Sequence, residues 1–208
     1  ADYKYTEPSD LGRIRQFTKP YDLPMPLPDD DILLDKILGG WLGRVCGCFL
    51  GKPVEGIMEP ELRKILKRTG NYPMHRYIDK EECTRDYGKM PCDDDTNYTI
   101  MGYKIIERYG KDFTAENVAS MWLATQVKNA YCTAERVAYR NFVNGYLPPE
   151  SAEYKNPYRE WIGAQIRGDC FGYFNPCNPR MAAEMAHRDA SISHIKNGIY
   201  GEMFVSAM

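Results

Sequence analysis

The chain has 208 residues, 43% of them hydrophobic, which is enough for one sizeable folded domain and too apolar for a disordered segment. Lys and Arg total 27 against 29 Asp and Glu, so no global positive field exists to hold nucleic acid or an anionic membrane. Seven cysteines form no Cys-x-x-Cys pair, which argues against a zinc knuckle or a redox motif.

Residues 1–30 read as an extended, proline-rich arm, with Pro8, Pro20, Pro24, Pro26 and Pro28 denying it regular structure. It lacks the apolar core of a secretory leader, and no uncharged apolar run in the chain is long enough to span a bilayer. The expectation is a soluble, cytoplasmic protein with reduced thiols, Cys46, Cys48 and Cys132 acting as small buried residues. A Cys83–Cys92 disulfide is left open.

From residue 31 the pattern turns helical. Ile32, Leu34, Ile37, Leu38, Trp41, Leu42, Val45 and Phe49 recur near the helical period, with Asp30 or Asp31 as cap. The same helix carries Gly39, Gly43, Gly47 and Gly51 at four-residue spacing. Each helical Gly costs about 1 kcal/mol against Ala, so the stripe implies close helix packing or close approach of a ligand to bare backbone. Gly51-Lys52-Pro53 ends the helix, a short one follows near 59–67, and a long irregular stretch runs from Thr69 to Cys92. Further helices are predicted at 95–109, 115–128, 133–143, 157–168, 179–194 and from about Gly198 onward. Thr114 and Thr133 suit N-caps, as do Asn156 and Asn178 before their prolines. Period-two alternation is nearly absent, so the class is all-α, with residues 31–208 as one helical domain.

Chemistry concentrates at Asp93-Asp94-Asp95-Thr96. Three adjacent carboxylates repel one another, and hard divalent ions prefer oxygen ligands of this kind. The same residues also suit a helix start, where Asp and Thr cap and acids meet the positive end of the dipole. Both readings stay open on spacing alone.

Three segments in order add to this: the glycine-striped helix running into Pro53-Val54-Glu55, the acid run, and Gly163-Ala164-Gln165-Ile166-Arg167-Gly168 followed by Ser193-His194. Their order resembles the ADP-ribosylglycohydrolase family of all-α hydrolases, from about Leu33 to the end. Gly47, Gly51, Pro53 and Glu55 fit its Gly-Asp-x-x-Gly-x-Pro-x-Glu motif, and Asp94, Asp95 and Thr96 fit its Thr-Asp-Asp-Thr motif. The resemblance implies a glycosidase that cleaves the ribosyl N- or O-glycosidic bond of ADP-ribosylated protein or a related ADP-ribose conjugate. It implies Glu55 as the catalytic carboxylate and Asp93, Asp94 and Asp95 as ligands of Mg²⁺ or Mn²⁺. Gly51, Arg167 and His194 are implied near the ADP-ribose.

Phe171, in the loop 168–174, could stack on an adenine or simply pack. Arg167 and His194 each also suit a structural role. Two departures stand out: Cys48 replaces the motif's Asp, and Asp93 replaces its first Thr. The family's later Asp-x-Asp-Ser/Thr cluster is expected past Met208 or from a second chain, which leaves half of a binuclear site here. The alternative expectation is a non-catalytic, ADP-ribose-binding or structural member of the same fold.

Overall fold

A computed structural model describes residues 3–19, 25–79, 82–83, 93–127 and 130–208. Among them are helices and turns and no strand, as the missing period-two pattern predicts. No described helix is long and apolar enough to cross a membrane. The chain divides into two compact units, residues 29–96 and residues 1–28 with 97–208.

The unit spanning 29–96 opens with α1, Asp30–Gly51, preceded by Asp29 in the capping position, one residue before the expected cap. Lys52–Val54 continue as a turn of 3₁₀ helix, and α2 follows at Glu59–Arg68. Pro53 sits in the first turn of the 3₁₀ segment, where its missing N–H costs nothing. Gly56 then takes φ +83, a left-handed conformation that glycine adopts without strain. The described part of the irregular stretch is tied by Arg76, which pairs with Asp79 at 2.6 Å and Glu82 at 2.7 Å. Residues 84–92, with Cys92 and any Cys83–Cys92 bridge, lie outside the described residues.

Two features of α1 stand out in this unit. The apolar residues of α1 are not buried: Ile32, Leu34, Leu38 and Leu42 are each at least half exposed. Nor does the glycine stripe receive a close neighbour, since a Cβ at Gly39, Gly43, Gly47 or Gly51 would meet no described atom within 4 Å.

The other unit holds a large apolar core. Helix α3 runs Asp94–Tyr109, its first three residues counted with 29–96, and α4 and α5 follow at Ala115–Thr125 and Thr133–Val143. Tyr98, Ile105, Phe113, Trp122, Phe142, Phe171 and Met185 form one contiguous cluster. Thr114 starts α4 with a capping box, its hydroxyl accepting from Asn117 N–H while the Asn117 side chain accepts from Thr114 N–H. Cys132, rather than Thr133, holds the capping position of α5.

Beyond a short turn at Glu150–Glu153 (α6), the expected helix 157–168 is instead a run of turns and then a 3₁₀ helix, Ile162–Arg167. A 3₁₀ turn stacks positions i and i+3, and it is Ala164 and Arg167 that face the interior. The presumed loop 168–174 contains a further short helix, α7, Asp169–Tyr173. Asn178 caps α8, Pro179–Ala190, which ends four residues early because Ser191–Ser193 turn inward; α9 spans Asn197–Ala207. Glycines here are used for contact: a Cβ on Gly172 would lie 2.7 Å from the Ser206 carbonyl oxygen of α9.

Residues 1–28 are more than an extended arm. Leu11–Arg15 form one helical turn with Ile14 buried, capped by Asp10. Ser9 accepts from Lys196 N–H at 3.1 Å, its carbonyl lies 2.8 Å from His187 Nε2, and Tyr200 donates to the Pro8 carbonyl. The segment is strapped to α8 and α9 by these bonds. Among the described cysteines, Cys46 and Cys132 are exposed and Cys48 half-buried, against expectation, while Cys170 is buried.

Candidate functional site

The C-terminal end of α1, the 3₁₀ turn and the start of α3 bring the acid run and Glu55 into one cluster, all of it within 29–96. A 3₁₀ turn eclipses residues three apart, so Lys52 and Glu55 share a face, and Lys52 Nζ lies 3.2 Å from Glu55 Oε2. The same ammonium lies 2.8 Å from Asp93 Oδ2. Lys52 therefore joins the expected catalytic carboxylate to the first expected metal carboxylate. Glu55 is mostly exposed, whereas the Asp93 side chain is 1% exposed.

Asp93 divides its two oxygens. Oδ1 accepts from the Asp95 N–H at 3.1 Å, which is a helix cap. Among the described residues, Oδ2 is buried and accepts no hydrogen bond of good geometry, and the Lys52 ammonium is the positive charge beside it. Asp95 is anchored through its backbone, its carbonyl accepting from Arg44 Nη1 at 2.9 Å, and its Oδ2 lies 3.7 Å from Cys48 Sγ. Cys48, Asp93 and Asp95 each offer a ligand atom within 4.8 Å of the others.

Electrostatics follow from crowding. Burial pushes the Asp94 carboxyl up to about 6, and the neighbouring Asp93 and Asp95 add to this. Asp95 is raised by burial and then by Asp93. For Asp93 burial would act the same way, but Lys52 and the bonds from its neighbours outweigh it and hold the carboxyl well below its usual range. The Cys48 thiol is pushed up to about 12, first by burial and then by Asp93 and Asp95. A cluster that crowded favours a cation. Two carboxylates, one of them with a buried oxygen that accepts no directed bond, fit a divalent ion; Cys48 adds a soft donor where a hard ion would prefer oxygen.

The remaining expected site residues stand in different surroundings. Gly51 is the exposed last residue of α1. Arg167 is 1% exposed in the other unit, where Nε meets Asp189 Oδ2 at 2.5 Å and Nη1 meets Glu135 Oε1 at 3.1 Å. Its Nη2 lies 3.5 Å from Glu202, both Nη atoms donate to Ser193 Oγ at 3.2 Å, and the guanidinium covers the Trp122 ring at 5.1 Å. Every face of that guanidinium is taken.

His194 is fully buried, with Nδ1 2.8 Å from Ser193 Oγ. Burial, and then Arg167, lowers its pKa to about 2, so the ring is neutral. Phe171 is fully buried and stacks on Phe113 at 5.5 Å, which corrects its assignment to adenine stacking. Sequence reasoning passed over Lys52, Glu135, Asp189 and Glu202. Only Lys52 left a signal, its position three residues before Glu55.

The family model described as ADP-ribosylglycohydrolase matches residues 29–208. The chain belongs to that family. Neither a curated protein nor a solved structure matches it. The match begins at the capping residue of α1, so it takes in the whole acid cluster and leaves out the N-terminal segment.

Proposed function

We propose that this member of the ADP-ribosylglycohydrolase family is a divalent-ion-dependent enzyme that cleaves the ribosyl N- or O-glycosidic bond of an ADP-ribosylated protein or a related conjugate. The observation that carries the reading is the convergence of Asp93, Asp95 and Cys48, with Lys52 linking Asp93 to Glu55. Asp93 and Asp95 would hold Mg²⁺ or Mn²⁺, which when bound supplies a Lewis-acidic grip on the ribose hydroxyls. Free thiols at Cys46, Cys48, Cys132 and Cys177 suit a cytoplasmic setting.

Glycoside cleavage passes through an oxocarbenium-like state, and it needs a carboxyl group that moves a proton. Metal-facing carboxylates are committed to charge, so the proton falls to Glu55, whose side chain is open to solvent and substrate. Glu55 takes a proton from the attacking water or gives one to the leaving atom, while Lys52 fixes one of its oxygens. The test is Glu55→Gln, assayed by release of ADP-ribose from an ADP-ribosylated protein, with Mn²⁺ binding followed in parallel. Turnover should fall about 10²- to 10⁴-fold while Mn²⁺ still binds. Unchanged turnover removes Glu55 from the mechanism.

Cys48 favours a second reading, a member that binds ADP-ribose without turning it over, because a thiol stands where the family motif has an Asp that makes a polar contact at the site. Calorimetry with ADP-ribose, with and without Mg²⁺, separates the two. Binding without turnover, indifferent to Mg²⁺, would establish the second.

A further inference from the structure

Asp93 Oδ2, a buried carboxylate oxygen in the candidate metal cluster, already has a cation beside it. Lys52 Nζ stands 2.8 Å away, on a side chain 27% exposed, so the ammonium can leave toward solvent. The Asp93 side chain, at 1% exposed, cannot follow it. An ion coordinating that oxygen at about 2.0–2.6 Å would lie within a few ångströms of a retained ammonium, and like charges at such range repel strongly in a half-buried setting. The two cations therefore compete for the oxygen. Lys52 has a second acceptor within reach, Glu55 Oε2 at 3.2 Å, and the 3₁₀ turn keeps that pair together whatever happens at Asp93.

We propose that Lys52 is a tethered cation that competes with the divalent ion for Asp93 and, once displaced, holds the Glu55 carboxylate in position. The proposal rests on the metal-dependent reading above and adds to it the competition between Lys52 and the ion for Asp93. It gives Lys52 two effects of opposite sign. By competing at Asp93 it weakens ion binding, and by fixing Glu55 it supports turnover. It is a positioning residue.

The experiment compares wild type, Lys52→Gln and Lys52→Arg, each checked for folding by circular dichroism. Mn²⁺ affinity is read by electron paramagnetic resonance of the free ion, and turnover at saturating Mn²⁺ by ADP-ribose release. Lys52→Gln should bind Mn²⁺ about tenfold tighter, since a positive charge beside the ion is gone, and should turn over about tenfold more slowly. Lys52→Arg, which keeps the charge, should show no gain in affinity. General structural damage lowers both quantities and cannot produce the split. Equal or weaker Mn²⁺ binding by a folded Lys52→Gln overturns the proposal and leaves the metal reading standing. Absence of Mn²⁺ binding in wild type and both variants overturns the metal reading and this proposal together.

Discussion

Two clusters in this chain set one cation against several acids, and they resolve the excess negative charge differently. Around Arg167, the carboxylates of Asp189, Glu135 and Glu202 are all at most 5% exposed. Water screens them little there, and protonation offsets part of the excess charge. Burial, above all, raises the Glu135 and Glu202 carboxyls, Glu202 well above its ordinary value. Around Lys52, exposure grades from 1% at Asp93 to 69% at Glu55. The closed cluster is built to hold the fold together; the graded one leaves room for a ligand. Counting charges would have equated them. Burial separates them.

Breaking the closed cluster should produce the largest stability effect. Arg167→Met leaves three buried acids without a counter-charge and should cost about 3–5 kcal/mol in urea unfolding. Lys52→Gln leaves a single buried acid, Asp93, without its ammonium and should cost less, about 1–3 kcal/mol. Similar costs for the two would erase the distinction drawn here.

Next in size is an overpacking effect. A methyl group on Gly172 would lie 2.7 Å from a backbone carbonyl of α9, which cannot yield cheaply. Gly172→Ala should therefore cost about 1–3 kcal/mol, read from the same unfolding curves.

The closed cluster also predicts a pH signature. Glu202 has a raised folded pKa, whereas in the unfolded chain it ionises near its ordinary value, about 4.3. Its contribution to stability is therefore complete below that value and is lost as pH rises toward the folded pKa. His194 acts in the opposite direction. Lowered to about 2 in the fold, it contributes fully above the unfolded value near 6.5 and loses that contribution as pH falls. Glu202→Gln cannot ionise, so its stability relative to wild type should grow with pH above about 5, by at most about 1.4 kcal/mol per pH unit. A pH-independent difference would mean that Glu202 is ionised in the fold.

Much of this fold was legible because its cues are local. Thr114 and Asn178 announce helix starts by hydroxyl and amide chemistry that needs no tertiary partner, and both caps form. The acid run and Glu55 were legible because motif spacing and a short turn bring them together. Arg167, His194 and Phe171 were legible as a motif and a loop, and the sequence left a site role and a structural role open for each. A residue's identity does not say which way its side chain points, and each of the three is also at home in a core. The 3₁₀ helix at 162–167 was missed for the same reason, since the burial of Ala164 and Arg167 selects it over an α-helix. Lys52 was missed because a lysine at a helix end already has a sufficient explanation in the dipole.

The smallest expected effect sharpens the comparison on the side of α1. Its glycine stripe reads in sequence as a surface for close approach, yet a Cβ at Gly39 meets no described atom within 4 Å, in contrast to Gly172. With no contact to lose, Gly39→Ala removes only the entropic penalty of a helical glycine and should stabilise the protein by about 0.5–1 kcal/mol in thermal unfolding. A loss of stability instead would show that the bare backbone at Gly39 is in close contact with another surface in solution. The stripe would then have the packing role that its spacing suggests, and the exposed Leu34, Leu38 and Leu42 beside it would have to be counted with that surface.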